Sequence, residues 1–126
     1  KKWETYGIHA LEAVYSIIGP GYVSVRNTGS PERNVVHLKH NSGADVVIAC
    51  GTGIVYGGAM TLCGASGNAT VVTKDTFASF KAQLAAFIGY LRSGVRPYPF
   101  SHTEELMRLV IAGIESRMRG GSEVML

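Results

Sequence analysis

Residues 34–50, which read NVVHLKHNSGADVVIAC, decide the fold class of this chain. Both ends of the stretch are rich in β-branched residues, which favour strands, and residues 41–43 between them have the composition of a tight turn. Strands joined by so short a turn must pair antiparallel, because parallel neighbours need a crossover of roughly a dozen residues. The stretch therefore predicts a β-hairpin within an antiparallel sheet.

Further strands are predicted on both sides of this hairpin. Residues 22–26 precede it, residues 59–64 and 69–72 follow it, and residues 123–126 are expected to form a last short strand. The strands up to residue 72 are predicted to form one meander of about five strands, since consecutive strands with short links pair with each other. Residues 46–48, Val-Val-Ile, are apolar on both faces of their strand, which predicts that a second subunit or domain covers the free face of the sheet.

Three segments have the periodicity of amphipathic helices. The first ends at the Gly-Pro-Gly of residues 19–21, the second follows Asp75 as N-cap and ends at Gly94, and the third begins at the capping sequence of residues 101–104. Their apolar positions are Ile8, Leu11, Tyr15 and Ile18; Phe77, Phe80, Leu84, Phe87, Ile88 and Leu91; and Leu106, Leu109, Val110 and Gly113. We predict an α+β fold of two layers, in which a mainly antiparallel, open-faced sheet carries helices packed on one face.

The composition indicates one globular domain over residues 1–126, with 46% hydrophobic and 17% charged residues. Its net charge of +3 is scattered along the chain, which argues against a nucleic-acid partner. No apolar run reaches the roughly 18 residues of a membrane span, and no secretory signal is visible, so no membrane partner is expected. Cys50 and Cys63 are interpreted as small buried side chains in a reducing compartment, which favours a cytoplasmic location.

Two apparent binding motifs are weak. The glycine-rich residues 51–57 have Tyr56 where the third glycine of a dinucleotide-binding turn belongs, and a strand-like segment follows instead of a helix. His37 and His40 are three apart on a strand and face opposite sides, so they cannot share a metal ion. With His102 they are interpreted as surface or rim residues, and no metal site is predicted.

His9 is the titratable residue on which a functional hypothesis can be built. It lies at the start of the first helix, near the edge of the face defined by Ile8 and Leu11. A neutral imidazole in such a place can accept or donate a proton near neutral pH. A purely structural role for the ring is the alternative.

The segment around His9 resembles a known family. Residues 6–12, YGIHALE, resemble the G-x-H-x-x-D/E stretch that opens the second domain of Gfo/Idh/MocA-type oxidoreductases. Residues 75–97, a helix followed by Gly94 and Pro97, resemble that domain's helix and connector, and residues 104–124 resemble its closing helix and terminal strand. The similarity spans nearly the whole chain in order.

The resemblance implies that residues 1–126 are the C-terminal substrate-binding and oligomerisation domain of an NAD(P)-dependent dehydrogenase. The expected Rossmann domain would precede Lys1 and hold the NAD or NADP, so no cofactor site is expected here and the chain alone should be inactive. The resemblance also implies a sugar- or cyclitol-like substrate and a homo-oligomer formed through the sheet. His9 would exchange a proton with the substrate, and Thr5 and Tyr6 would bind it.

One position departs from the family pattern. The family often has an aspartate four residues before the histidine, where this chain has Thr5, and a hydroxyl cannot act as a carboxylate base. Two other functions therefore stay open: a non-catalytic module that associates through its sheet, and a free-standing domain that binds a small molecule.

Overall fold

The computed structural model describes residues 2–53, 58–72 and 75–126. Its helices and strands, in chain order, are α1 (Trp3–Ile18), β1 (Tyr22–Asn27), β2 (Arg33–His40), β3 (Asp45–Gly51), β4 (Ala59–Gly64), β5 (Gly67–Val72), α2 (Thr76–Ser93), α3 (Phe100–Met118) and β6 (Val124–Met125). The chain forms two compact units, one of residues 1–54 with 100–126 and one of residues 55–99. The fold is α+β with antiparallel sheets, as predicted.

The first unit is built on a four-stranded antiparallel sheet with the strand order β3-β2-β1-β6. The hairpin predicted from residues 34–50 is its β2–β3 pair, in which Val36 lies opposite Ile48 and Leu38 opposite Val46. The short final strand β6 pairs with the middle of β1 and closes the other edge.

Helices α1 and α3 pack against each other and against one face of this sheet. The core between the layers is made of alternate strand residues and one side of each helix. Its buried apolar members are Trp3, Leu11, Tyr15, Tyr22, Val25, Val36, Leu38, Val46, Ile48, Leu109, Val110 and Ala112. The other face of the sheet stays open, and Val47 is 67% exposed there.

The single meander predicted for the strands is wrong. In the structure β4 and β5 form a separate two-stranded antiparallel sheet in the second unit. The pattern of a strand shows that it pairs but not with which neighbour, because pairing depends on the path of the links. The glycine-rich link of residues 51–57 runs between β3 and β4, and residues 54–57 of that predicted weak motif lie outside the described residues.

Helix α2 belongs to the second unit and has the ends that the sequence predicts. The Asp75 side chain accepts a hydrogen bond of 2.8 Å from the Ala78 N–H, and Gly94 ends the helix with a left-handed φ of 71°. Helix α3 begins at Phe100, so the predicted cap Ser101 is inside the helix instead of before it.

Candidate functional site

Helix α1 has one buried face and one exposed face, and the sequence-predicted site residues lie on the exposed one. Trp3, Gly7, Leu11 and Tyr15 are buried, at helical spacing. His9 is two residues from both Gly7 and Leu11, which places it on the far side of the helix and not at the edge of the buried face. The imidazole therefore points away from the core.

Trp3 fixes the position of α1. Its indole N–H donates a buried hydrogen bond of 2.9 Å to the carbonyl of Val110 on α3. A Cβ atom on Gly7 would lie 2.6 Å from Trp3 Cε3, and one on Gly113 would lie 2.5 Å from Trp3 Nε1. The two glycines therefore make room for the indole, and the glycine two residues before His9 has a packing role.

The N-terminal end of α1 is also tied to α3 by charge. Arg117 donates hydrogen bonds to the Glu4 carboxylate and, over 2.7 Å, to Asn34 Oδ1. Burial alone would raise the pKa of Glu4, but the Arg117 hydrogen bond, a backbone hydrogen bond at Glu4 and the charges of Arg117 and Lys2 together outweigh it and lower that pKa. Because the Glu4 carboxylate is held by Arg117, it is not the carboxylate beside His9.

The exposed face of α1 brings His9 together with Tyr6 and Glu12. His9 Nδ1 is 3.3 Å from Glu12 Oε2, and the two side chains are 67% and 55% exposed. The Tyr6 ring meets the imidazole edge to face, with centroids 5.7 Å apart. One turn earlier, the Thr5 hydroxyl donates a hydrogen bond of 3.4 Å to the carbonyl of Lys2. All three predicted site residues thus lie on neighbouring turns of one open helix face.

This arrangement can hold a proton acceptor. A carboxylate accepts hydrogen bonds only, so the contact with Glu12 places a proton on Nδ1 and leaves Nε2 of the neutral ring as the acceptor. An exposed hydroxyl that approached Nε2 would meet a base oriented by a carboxylate. Glu12 is the member of this group that sequence reasoning did not assign, although a carboxylate at i+3 on a helix is the signal that reveals it.

A second polar cluster, at the C-terminal end of α1, was not predicted. Glu105 of α3 accepts a hydrogen bond of 2.7 Å from the Tyr15 hydroxyl and hydrogen bonds of 2.8 Å from the N–H groups of Gly21 and Tyr22. Burial alone would raise the pKa of Glu105, but these hydrogen bonds together outweigh it and lower that pKa. Burial, and then the Glu105 charge, raises the pKa of Tyr22 to about 12. The Glu105 carboxylate thus accepts three hydrogen bonds around the C-terminal end of α1, and it anchors the turn that follows the helix.

His40 belongs beside this cluster, and its interpretation as a surface residue is wrong. It is 7% exposed, its Nε2 donates to the Pro20 carbonyl over 2.9 Å, and its Nδ1 accepts from the Ser42 N–H over 3.1 Å. These two bonds hold the neutral ring in one tautomer. His37 does lie on the opposite face of the strand, as predicted, and pairs with Asp45 over 2.7 Å.

Other potential binding features lie away from His9. A shallow pocket of about 390 Å³ is lined by residues of β1 and α3 and the last residue, namely Tyr22, Ser101, Glu104, Glu105, Arg108 and Leu126. Within the described residues no group of three or more His, Cys, Asp or Glu side chains is placed to hold a metal ion. In the same part of the chain no helix is both long and apolar enough to cross a membrane.

The two cysteines are free thiols, but they differ in environment. Cys50 is partly buried, and burial raises the pKa of its thiol. Cys63 is exposed, so its interpretation as a buried side chain is wrong. The reason is that β4 belongs to a two-stranded sheet, which has too few neighbours to bury it.

Comparisons with models of known protein families, with curated proteins and with solved structures found no match for this chain.

Proposed function

We propose that this chain is the C-terminal substrate-binding and oligomerisation domain of a Gfo/Idh/MocA-like, NAD(P)-dependent dehydrogenase of the cytoplasm. In this proposal His9 takes the proton from a hydroxyl of a sugar- or cyclitol-like substrate, and Thr5 and Tyr6 bind that substrate. The observation that carries it is the placement of His9 on the exposed face of α1, with Tyr6 against the ring and Glu12 at Nδ1.

The architecture supports the same proposal. The chain has an open-faced antiparallel sheet with α1 and α3 packed on one side, which is the arrangement that the family resemblance implies. The buried face of α1 is occupied by Trp3 and Leu11, so the exposed face is the one left for a substrate and a neighbouring domain.

The proposal gives the role of the absent family aspartate to a different residue. Thr5 stands where that aspartate belongs, and its hydroxyl bonds back to the Lys2 carbonyl. The carboxylate that contacts His9 comes from Glu12, one turn after the histidine. A base can be oriented from either side along a helix, since residues three or four apart share a face.

The nicotinamide nucleotide belongs, in this proposal, to a Rossmann domain that precedes Lys1. When bound there it supplies the hydride acceptor, while the residues of this chain bind and orient the substrate and hold its proton at His9 Nε2. The 126-residue chain alone should therefore show no turnover and no specific binding of NAD(H) or NADP(H) by calorimetry. Tight and specific binding of either nucleotide to this chain would contradict the proposal.

The test of catalysis uses a longer chain that contains both domains. Sugars and cyclitols are screened with NAD⁺ and NADP⁺ by the absorbance of the reduced nicotinamide, and the active substrate is then used with His9→Ala. Loss of a general base is expected to lower kcat by about 10²–10⁴-fold. The matched control is His102→Ala, which removes a partly exposed histidine of α3 and should retain activity. Unchanged turnover in His9→Ala would remove the catalytic role.

One observation favours the non-catalytic alternative, in which the domain associates through its sheet. Val35 and Val47 are 46% and 67% exposed on the open face, and Ala49 beside them is exposed too. If this face is an interface, Val47→Glu should lower the mass seen by analytical ultracentrifugation. Val71→Glu, at a 43% exposed position in the other sheet, is the control. Sheet association without any effect of His9→Ala on turnover would favour the assembly module over the enzyme.

A further inference from the structure

The pocket at the start of α3 lies within the first unit and contains no residue of α1. Its lining residues come from β1, from the first turns of α3 and from residue 126, and all of them belong to that unit. Its volume of about 390 Å³ is at the small end of the range of about 300–1,000 Å³ that sites for small molecules have. The pocket therefore suits a small metabolite, at a place separate from His9.

Tyr22 lines this pocket and has an unsatisfied hydroxyl. The residue is 5% exposed, and its buried hydroxyl oxygen has no hydrogen-bond partner among the described residues. A buried hydroxyl without a partner costs free energy, so native structures rarely retain one without a reason. Because burial, and then the Glu105 charge, raises the pKa of Tyr22 to about 12, the hydroxyl keeps its proton at neutral pH and can donate a hydrogen bond to a ligand.

Two opposite charges at the pocket, those of Glu104 and Arg108, have no partner. The two residues are four apart on α3, which is the spacing of a helix ion pair, and Glu115 and Arg119 with the same spacing form one over 2.5 Å. Among the described residues, neither Glu104 nor Arg108 takes part in a hydrogen bond or an ion pair. Both side chains are exposed, so both charges are available to a ligand.

The other carboxylate of the pocket is already engaged. Glu105 accepts three hydrogen bonds from donors around the C-terminal end of α1. Its negative charge and that of Glu104 oppose a ligand that carries only an anionic group. A ligand that carries only a cationic group leaves Arg108 without a partner. A molecule that carries both charges is the one that matches the pocket.

We propose that this pocket binds a small zwitterion of the α-amino acid class. The carboxylate of the ligand accepts hydrogen bonds from Arg108 and from the Tyr22 hydroxyl, and its ammonium group is held by Glu104. A guanidinium suits a carboxylate because its N–H groups can donate two parallel hydrogen bonds. This site is independent of the proposed dehydrogenase activity and of His9.

NMR titration of the isotope-labelled 126-residue chain tests the class of ligand. Each common amino acid is added at constant pH and ionic strength, and the backbone amide signals of Tyr22, Ser101 and Arg108 are followed. The proposal predicts saturable shifts of these signals with at least one amino acid. The acid that lacks its amino group and the amine that lacks its carboxylate should each bind at least about tenfold more weakly, because each leaves one charge of the pocket unpaired.

Three results of this titration would overturn the proposal. The first is the absence of a saturable shift with every amino acid. The second is equal affinity for either of the analogues that carry a single charge. The third is a saturable shift of the same signals with myo-inositol, which would indicate a site for neutral polyols.

Point variants test the three contacts separately. Arg108→Ala should raise the Kd of the amino acid by about tenfold or more, and Tyr22→Phe should raise it by about fivefold. Glu104→Gln should raise it by about tenfold and should also abolish the preference for the amino acid over the acid that lacks its amino group. Arg119→Ala removes the arginine that pairs with Glu115, and it is the matched control that should leave the Kd unchanged.

Tyr22→Phe also provides a test that needs no ligand. Its free energy of unfolding in urea should not fall below that of the wild type, since the hydroxyl that it removes has no partner among the described residues. A loss of stability in this variant would show that the hydroxyl is bonded within the fold, and it would overturn the role of Tyr22 in binding. An unchanged Kd in Arg108→Ala or in Glu104→Gln would overturn the proposed site.

Discussion

Helices α1 and α2 carry the same signal in the sequence and have opposite environments in the structure. Both have an apolar stripe at helical spacing, over 16 and 18 residues respectively. Helix α1 buries Trp3, Gly7, Leu11 and Tyr15, whereas α2 buries no residue. An apolar stripe therefore shows that one face of a helix needs burial, but not which part of the molecule buries it.

The difference comes from a few anchoring contacts. Trp3 hydrogen-bonds α3, Arg117 holds Glu4, and Glu105 holds Tyr15, so α1 is fastened along its whole length. Each of these contacts joins residues about ninety or more positions apart in the chain, and none has a local sequence signature. The predictions that follow test how much of the stability of the chain depends on them.

The largest effect is expected from Trp3→Ala. Trp3 is 0% exposed, and its removal leaves a cavity and takes away the indole hydrogen bond to the Val110 carbonyl, so the free energy of unfolding should fall by about 3–5 kcal/mol. Phe80→Ala is the matched change in α2, where the side chain is 68% exposed, and should cost at most about 0.5 kcal/mol in dilute protein. Both are measured by urea denaturation with far-UV circular dichroism. Equal losses would contradict the contrast between the two helices.

Gly7→Ala should destabilise the first unit by about 1–2 kcal/mol. The new Cβ would lie 2.6 Å from the ring of Trp3, which is buried and cannot move aside, and overpacking outweighs the gain in helix propensity. Fluorescence of Trp3, the one tryptophan of the chain, follows this unfolding in urea. A stabilised variant would show that the indole is not confined by the glycine.

Glu105→Gln should change the acid stability of the protein. The pKa of Glu105 is below its ordinary value of 4.5 in the fold, so the native state holds fewer protons there than the unfolded chain. Its stabilisation is therefore complete above pH 4.5 and is lost as the pH falls through the native pKa. The variant should lose about 1–2 kcal/mol near pH 7 and show a shallower acid decline than the wild type.

Glu104→Gln is the control for this measurement, because Glu104 directly precedes Glu105 on α3 and is exposed. Its loss of stability with falling pH, followed by Trp3 fluorescence, should be the same as that of the wild type. If Glu105→Gln also loses stability with falling pH as the wild type does, the Glu105 carboxylate does not anchor the turn.

The smallest effect, and of opposite sign, is expected from Gly89→Ala. A Cβ at this position in the middle of α2 meets nothing within 4 Å, so the gain in helix propensity is not opposed. The free energy of unfolding should rise by about 0.5–1 kcal/mol in urea denaturation followed by circular dichroism. A loss of stability would mean that this face of α2 is closely covered in solution.

Local features of the chain were predictable because their causes are local. The turn at residues 41–43, the Asp75 cap and the left-handed Gly94 depend on interactions within a few residues, and all three are present. The α+β class follows equally from strands joined by short turns. Of the candidate site, only the shared helix face of His9, Tyr6 and Thr5 follows from their spacing, and their roles in binding and proton transfer stay predictions.

Features that depend on distant contacts were not predictable. His40 is buried because the pairing of β1 with β2 brings it against Tyr22 and the Pro20 carbonyl. Cys63 is exposed because β4 pairs with β5 alone. The position of His9 on the far side of α1 required the place of Trp3 to be known.

Backbone sterics and nearest neighbours are enough to set the helical and strand periodicities, the turns and the caps of this protein, and with them its antiparallel α+β class, so these can be read from the amino-acid sequence. The tertiary structure decided which strands share a sheet, which helix stripe is covered, and that Glu12 and not Glu4 stands beside His9. These outcomes depend on contacts between residues far apart in the chain, and their energies are settled only when the whole core is packed.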